Sequence, residues 1–120
     1  MAALSQASPD ELYEKFRATP QAPQRLAIAL QGFFDENVMP AQREEYGAYL
    51  QKRIRPAAAA LMEDEDVDKL DVLERQGWLA DGQLDGLIQL ARARSRTASL
   101  VWLLRLKAER GQYRDRDFSL

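Results

Sequence analysis

The stretch Leu73–Asp85, LERQGWLADGQLD, decides how the chain folds. Gly77 follows Val67, Leu70, Val72 and Leu73, which recur on a helical period, and a left-handed C-cap is expected there. Asp81 can cap a following helix that carries Leu84, Leu87, Ile88 and Ala91. Two helices therefore meet at a glycine corner. Trp78, directly after the glycine, has two possible roles. A residue at this position often packs back on the helix it follows, as a structural plug. Corners of helical repeats also line a common edge, where an aromatic can be an interface anchor.

Outward from the corner, every segment has a helical pattern. Ser8-Pro9-Asp10-Glu11 combines a capping Ser, Pro at the first helical position and Glu three residues after the cap. Leu12, Tyr13 and Phe16 follow as a short stripe. Pro23 can open a second helix through Leu26, Leu30, Phe33 and Phe34, and a third starts near Ala41 with Tyr46, Tyr49, Leu50 and Ile54. Pro56 marks either a kink or a fresh start, because Pro costs about 3 kcal/mol inside a helix. The last helix carries Leu100, Val101, Trp102, Leu103, Leu104 and Leu106. It is expected to be core on most sides, with Gly111 stopping it. No β-branched alternating run is bounded by turns.

The expected fold is all-α, a single domain over 1–120 with six or seven helices. Residues 1–7 are expected to be disordered, 8–40 to form N-terminal helices, 41–111 two stacked antiparallel helix pairs, and 112–120 a tail. The expected core is Leu12, Phe16, Leu30, Phe33, Leu50, Ile54, Leu61, Leu70, Leu73, Leu84, Leu87, Ile88, Leu100, Leu103 and Leu104. An offset of 34 supports the pairing. It lays Leu50, Ile54 and Ala57 on Leu84, Ile88 and Ala91, and Gly77 on Gly111.

The 120 residues are 46% apolar and 30% charged, as in ordinary globular proteins. There is no cysteine and no histidine. A disulfide framework, a thiolate nucleophile, the usual Ser-His triad and the common zinc sites are therefore excluded. The start, MAALSQASPDEL, has neither a basic segment nor an apolar run, so no signal peptide is expected. No apolar run approaches the roughly 20 residues a membrane span needs. A cytoplasmic location is expected, without membrane partners.

Asp64, Asp66 and Asp68 have the spacing that opens a calcium loop. The loop's sixth position would be Lys69 rather than Gly and its twelfth Arg75 rather than Glu, so acids at a helix start are the better explanation. No cofactor or metal is expected, and no catalytic residue is assigned.

Net charge is −2, unevenly spread. Residues 61–85 hold nine acids against two bases, and 86–116 hold eight bases against two acids. Such a layout arises when neighbouring helices, or neighbouring copies, attract each other. It also arises from a basic surface for an acidic partner.

The stretch Asp66–Arg110 resembles helix-pair repeats of the ankyrin type. Val72-Leu73-Glu74-Arg75-Gln76-Gly77 is a loosened Leu-Leu-Glu-x-Gly helix ending, and Leu87 to Ala91 and Leu103-Leu104 match later positions. The Thr-Pro-Leu-His signature and the hairpin arm are absent. The segment is also similar to an uncharacterised bacterial all-helical domain with an Asp-Phe-Ser-Leu tail. The resemblance covers roughly the last half of the chain, brings no catalytic residues, and implies an interaction module.

The expected function is therefore a non-catalytic one, protein–protein interaction or self-assembly. Its candidate surface is Tyr46, Tyr49, Trp78, Arg92, Arg94 and Arg96. The alternative is a regulator that contacts nucleic acid through the basic segment Arg92–Arg116. The helix Thr97–Arg110 is too apolar for a groove-reading helix, which weighs against it. A helical enzyme with a carboxylate-bound metal is a third reading, disfavoured because such sites usually pair Glu with His.

Overall fold

Ser8 opens the first helix as its spacing predicts. Its hydroxyl accepts from the Glu11 amide at 3.2 Å, and the Glu11 carboxylate accepts from the Ser8 amide at 3.1 Å. In the computed structural model described here, residues 8–118 are placed, with side chains through Gly111. The expectation for residues 1–7 lies outside the described residues. Seven helices and no strand are found among them. They are α1 (Pro9–Ala18), α2 (Gln24–Phe33), α3 (Pro40–Lys52), α4 (Ile54–Glu63), α5 (Val67–Arg75), α6 (Asp81–Ala93) and α7 (Thr97–Phe118).

Pro56 begins a new helix rather than kinking an old one. Arg53 ends α3, and Pro56 occupies the first turn of α4, where its missing N–H has no intrahelical acceptor to lose. The expected stop at Gly111 does not occur: α7 runs through it to Phe118. Gly111 has no left-handed backbone, and a glycine inside a helix costs only about 1 kcal/mol against Ala. The first residues of the expected 112–120 tail are thus helical.

The helices gather into two compact units, residues 1–57 and 58–120. In the first unit α2 packs on α1 and on α3. Leu12, Phe16, Leu26, Ile28, Ala29, Phe33, Tyr46 and Leu50 fill the space between them. Tyr46 meets α2 at Gly32, where the close approach of the two helices demands a glycine. A Cβ there would lie 2.3 Å from Tyr46 Cε2.

In the second unit α7 packs on α6 and α5, around Leu61, Met62, Leu70, Leu73, Leu79, Leu84, Leu87, Ile88, Ala91 and Leu103. Three helices here end in the same way. The Asp66, Trp78 and Arg96 amides donate back to the carbonyls of Leu61, Leu73 and Ala91, at 2.9, 3.2 and 2.9 Å. The residue before each donor (Glu65, Gly77 and Ser95) has φ of 54°, 80° and 55°. These are Schellman caps. Only the one at Gly77 is visible in the sequence, because Glu and Ser do not announce a left-handed residue. Ser95→Gly is accordingly expected to raise stability by about 0.5–1 kcal/mol, since it removes the Cβ penalty of that conformation. The urea midpoint of the variant checks this.

The 34-residue offset fails with Gly111. The corner between α4 and α5 recurs instead at 30 in the corner between α6 and α7, while the starts of α4 and α6 and the ends of α5 and α7 do not keep that step. The carboxyl ends of α4 and α6 fall at Glu63 and Ala93, the left-handed residues at Glu65 and Ser95, and the starts of α5 and α7 at Val67 and Thr97. Apolar residues follow the same step: Leu61 and Ala91, Leu70 and Leu100, Leu73 and Leu103.

Candidate interaction surface

Tyr46, proposed from the sequence as an exposed aromatic, is instead part of the core, at 0% exposure. Its ring is held edge-on by Phe16 at 4.9 Å and Tyr13 at 6.1 Å between centroids. The small Gly32 lets α2 cover it, and that neighbour is not visible in the local sequence around Tyr46. Its hydroxyl is buried without a hydrogen-bond partner among the described residues. Burial first, and then the nearby Tyr13, Asp35 and Glu45, push its pKa up to about 12.

Tyr49 is half-buried rather than open. The Arg53 and Arg25 guanidinium carbons lie 4.2 and 5.1 Å from its ring centroid, and Phe16 meets it edge-on at 5.4 Å. Arg25 also lies 4.3 Å over Phe16. This planar, weakly hydrated cation thus lies against two aromatic rings set at right angles to each other, a setting in which an Arg side chain tolerates partial burial. At the rim, Tyr13 donates to Glu45, and Gln42 donates to Asp10 at 2.9 Å, so α1 is tied to α3. The aromatics of the first unit hold three short helices together. They do not form an open patch.

In the second unit Trp78 is half-buried at the α5 corner, where its amide closes the cap on Leu73. Arg94 and Arg96 are both paired within the chain. Arg94 Nη1 and Arg96 Nε donate to the two oxygens of Glu63, the latter at 2.9 Å. One turn on, Glu65 accepts from the Ser99 amide at 3.0 Å, and the buried Ser99 hydroxyl donates to the Met62 carbonyl at 3.0 Å. The corner after α4 therefore supplies the amino-terminal cap of α7, which its own preceding residue, Arg96, has no acceptor to provide.

The same pattern runs through the rest of the acidic and basic segments. Lys107 pairs with Asp85 at 2.8 Å, Arg75 with Asp71 at 2.9 Å and Lys69 with Asp66 at 3.4 Å. Arg110 reaches Glu74, Asp81 and the Leu79 carbonyl. Asp66 also caps α5 at the Lys69 amide, so one side chain of the calcium-like triplet is engaged at a helix terminus. The acidic and basic segments are thus bridged at several points, by Arg94 and Arg96 to Glu63, Lys107 to Asp85, and Arg110 to Glu74 and Asp81. Arg92 and Arg105 are exposed and form no ion pair among the described residues.

The Arg96 hydrogen bond, and then the charges of both arginines, hold the Glu63 carboxyl below its ordinary value of 4.5. A carboxyl depressed in the folded chain stabilises the fold above its unfolded value, and that contribution is lost as pH falls through the folded value. Glu63→Gln is therefore expected to lower the urea midpoint at neutral pH and to flatten its decline below about pH 4.5. Because the two arginines are partly open to solvent, salt should shrink the difference. Urea titrations at pH 3 to 7 measure both.

A groove of about 150 Å³ lies between α6 and α7, lined by Asp81, Leu84, Asp85, Lys107, Arg110 and Gly111. It is smaller than a typical ligand pocket of about 300–1,000 Å³, and its charged groups already bind one another. No group of three or more acidic residues is placed to hold a metal ion among the described residues. Nor is any described helix long and apolar enough to cross a membrane.

One surface was missed by the sequence reading. Val101 is 50% exposed and Leu104 38%, although both belong to the helix expected to be core on most sides. Of that helix's apolar residues with described side chains, only Leu103 is fully buried; Leu100, Trp102 and Leu106 are half-buried. Leu30 and Ile54, also expected in the core, are half-buried as well. Neighbouring helices cover one side of α7, and its opposite side faces solvent. A second apolar stripe at 4–3 spacing was the available signal.

No protein-family model, curated protein or solved structure matches this chain.

Proposed function

We propose that the chain is a non-catalytic interaction module whose second half is built from two helix pairs in a repeat-like stack. The observation that carries this is the recurrence of one corner at an offset of 30, with matching helix ends, left-handed residues and backbone closures. Helix-pair stacks present long side faces of successive helices, and such surfaces serve to bind other chains. The ionisable groups support the same reading. Several of those in the second unit tie one helix to another, as in Lys107–Asp85 and Arg110–Asp81.

A photo-crosslinking residue placed at Gln89 or Arg92, both exposed on α6, is activated in cells that make the protein. The expected product is a covalent adduct that survives nuclease and is digested by protease. An adduct of twice the chain mass assigns the module to self-assembly. A nuclease-sensitive adduct that disappears with salt replaces this reading with the nucleic-acid one. Absence of any adduct overturns the module.

A further inference from the structure

The solvent side of α7 carries Thr97, Val101, Leu104, Ala108 and Gly111, all exposed. Their spacing is 4, 3, 4, 3, the interval at which side chains form a straight seam between two helices. The seam is about 21 Å long at 1.5 Å per residue. It is separate from the opposite face, where Ser99 and Leu103 are buried against the rest of the second unit. At its carboxyl end Ala108 and Gly111 project little, so a second helix can approach closely there and place larger apolar side chains over them.

We infer that this seam docks an amphipathic helix of another polypeptide whose apolar stripe is flanked by Asp or Glu. The inference rests on the interaction reading above and names the kind of partner. Charge selects the occupant. The two seam-flanking positions between Leu104 and Ala108 are Arg105 and Lys107. Lys107 is held by Asp85, whereas Arg105 is exposed with no carboxylate partner among the described residues. A second copy in antiparallel register would set Arg105 against Arg105. An acidic flank on the incoming helix meets it with the opposite sign.

The test uses the full chain and a displayed library of helical peptides. The library has fixed apolar residues at 4–3 spacing, and flanks drawn equally from Glu, Lys and Gln. Glu is expected to be enriched at the flank that meets Arg105. Leu104→Glu, at an exposed site, is expected to weaken the selected peptide about tenfold or more, because it sets a charge in the middle of the contact. Arg105→Glu is expected to reverse the flank preference towards Lys. Circular dichroism confirms that both variants fold.

Three results overturn the inference: no enrichment over the Leu104→Glu variant, no preference for acidic flanks, or a wild-type dimer in light scattering that Val101→Glu dissolves. The last result gives the seam to a second copy. Protein adducts from Gln89 or Arg92 alongside any of these would keep the interaction module and remove only this partner.

Discussion

Gly32→Ala is expected to destabilise the first unit by about 2–3 kcal/mol, the upper part of the range for overpacking a core. Helix propensity alone gives the opposite sign, because Ala in place of Gly inside a helix gains about 1 kcal/mol. The contest is decided by contact. The new methyl carbon would lie 2.3, 2.4 and 2.9 Å from Tyr46 Cε2, Cζ and Cδ2. Those atoms belong to a rigid ring, fully buried and gripped by Phe16 and Tyr13, so they have little room to withdraw. Urea unfolding of four proteins measures the effect: wild type, Gly32→Ala, Tyr46→Leu and the double variant. The two substitutions should couple by about 1 kcal/mol or more in the direction of rescue, as contacting residues do. A stabilised Gly32→Ala would show that α2 and α3 do not meet at this point. Tyr46→Phe separates the ring from its hydroxyl. Because that hydroxyl is buried and without a partner among the described residues, its removal is expected to be neutral or stabilising, by up to about 1–2 kcal/mol.

Two neighbouring leucines provide the second large contrast. Leu103→Ala is expected to cost about 3 kcal/mol, within the range for emptying a buried leucine site. Leu104→Ala should stay within about 0.5 kcal/mol of wild type, as exposed substitutions do. The two differ by one position and by 0% against 38% exposure. Equal losses would mean that α7 is covered on both sides. Peptide binding at the α7 seam should show the reverse order, with Leu104→Ala the more damaging and Leu103→Ala acting only through stability.

Legibility in the sequence follows the range of the interactions involved. The Ser8 cap and the Gly77 corner were visible because each is a contact within a few residues, between groups whose chemistry names the structure they make. Pro56 was ambiguous for a related reason. A proline forbids a helix interior and tolerates a first turn, and only the end of α3 at Arg53 shows which applies. The corners at Glu65 and Ser95 were hidden, since neither residue type favours a left-handed backbone and both are held there by the fold. The match of Gly77 with Gly111 at an offset of 34 misleads because only Gly77 has the left-handed backbone that ends a helix.

The candidate surface was less legible than the fold. The place of Tyr46 and Tyr49 on α3 gives no local sign of burial, because their surroundings come from Phe16, Arg25 and Gly32 on other helices. In the sequence Arg94 and Arg96 have no visible partner, because Glu63 is some thirty residues away in the chain and adjacent only in space. The net charge of each segment was correct, and its use was invisible.

By itself the sequence determined an all-helical chain, where most of its helices begin, and the glycine corner after α5. Periodicity and capping are properties of consecutive residues, and backbone hydrogen bonding makes them decisive locally. Only the tertiary structure decided that Tyr46 lies under Gly32, that Glu63 and Glu65 serve the start of α7, and that Val101 and Leu104 face water. An apolar residue on a helix states that it can be buried. Which face finds a neighbour depends on where distant helices come to rest, and so the same composition yields a core on one side of α7 and a seam on the other.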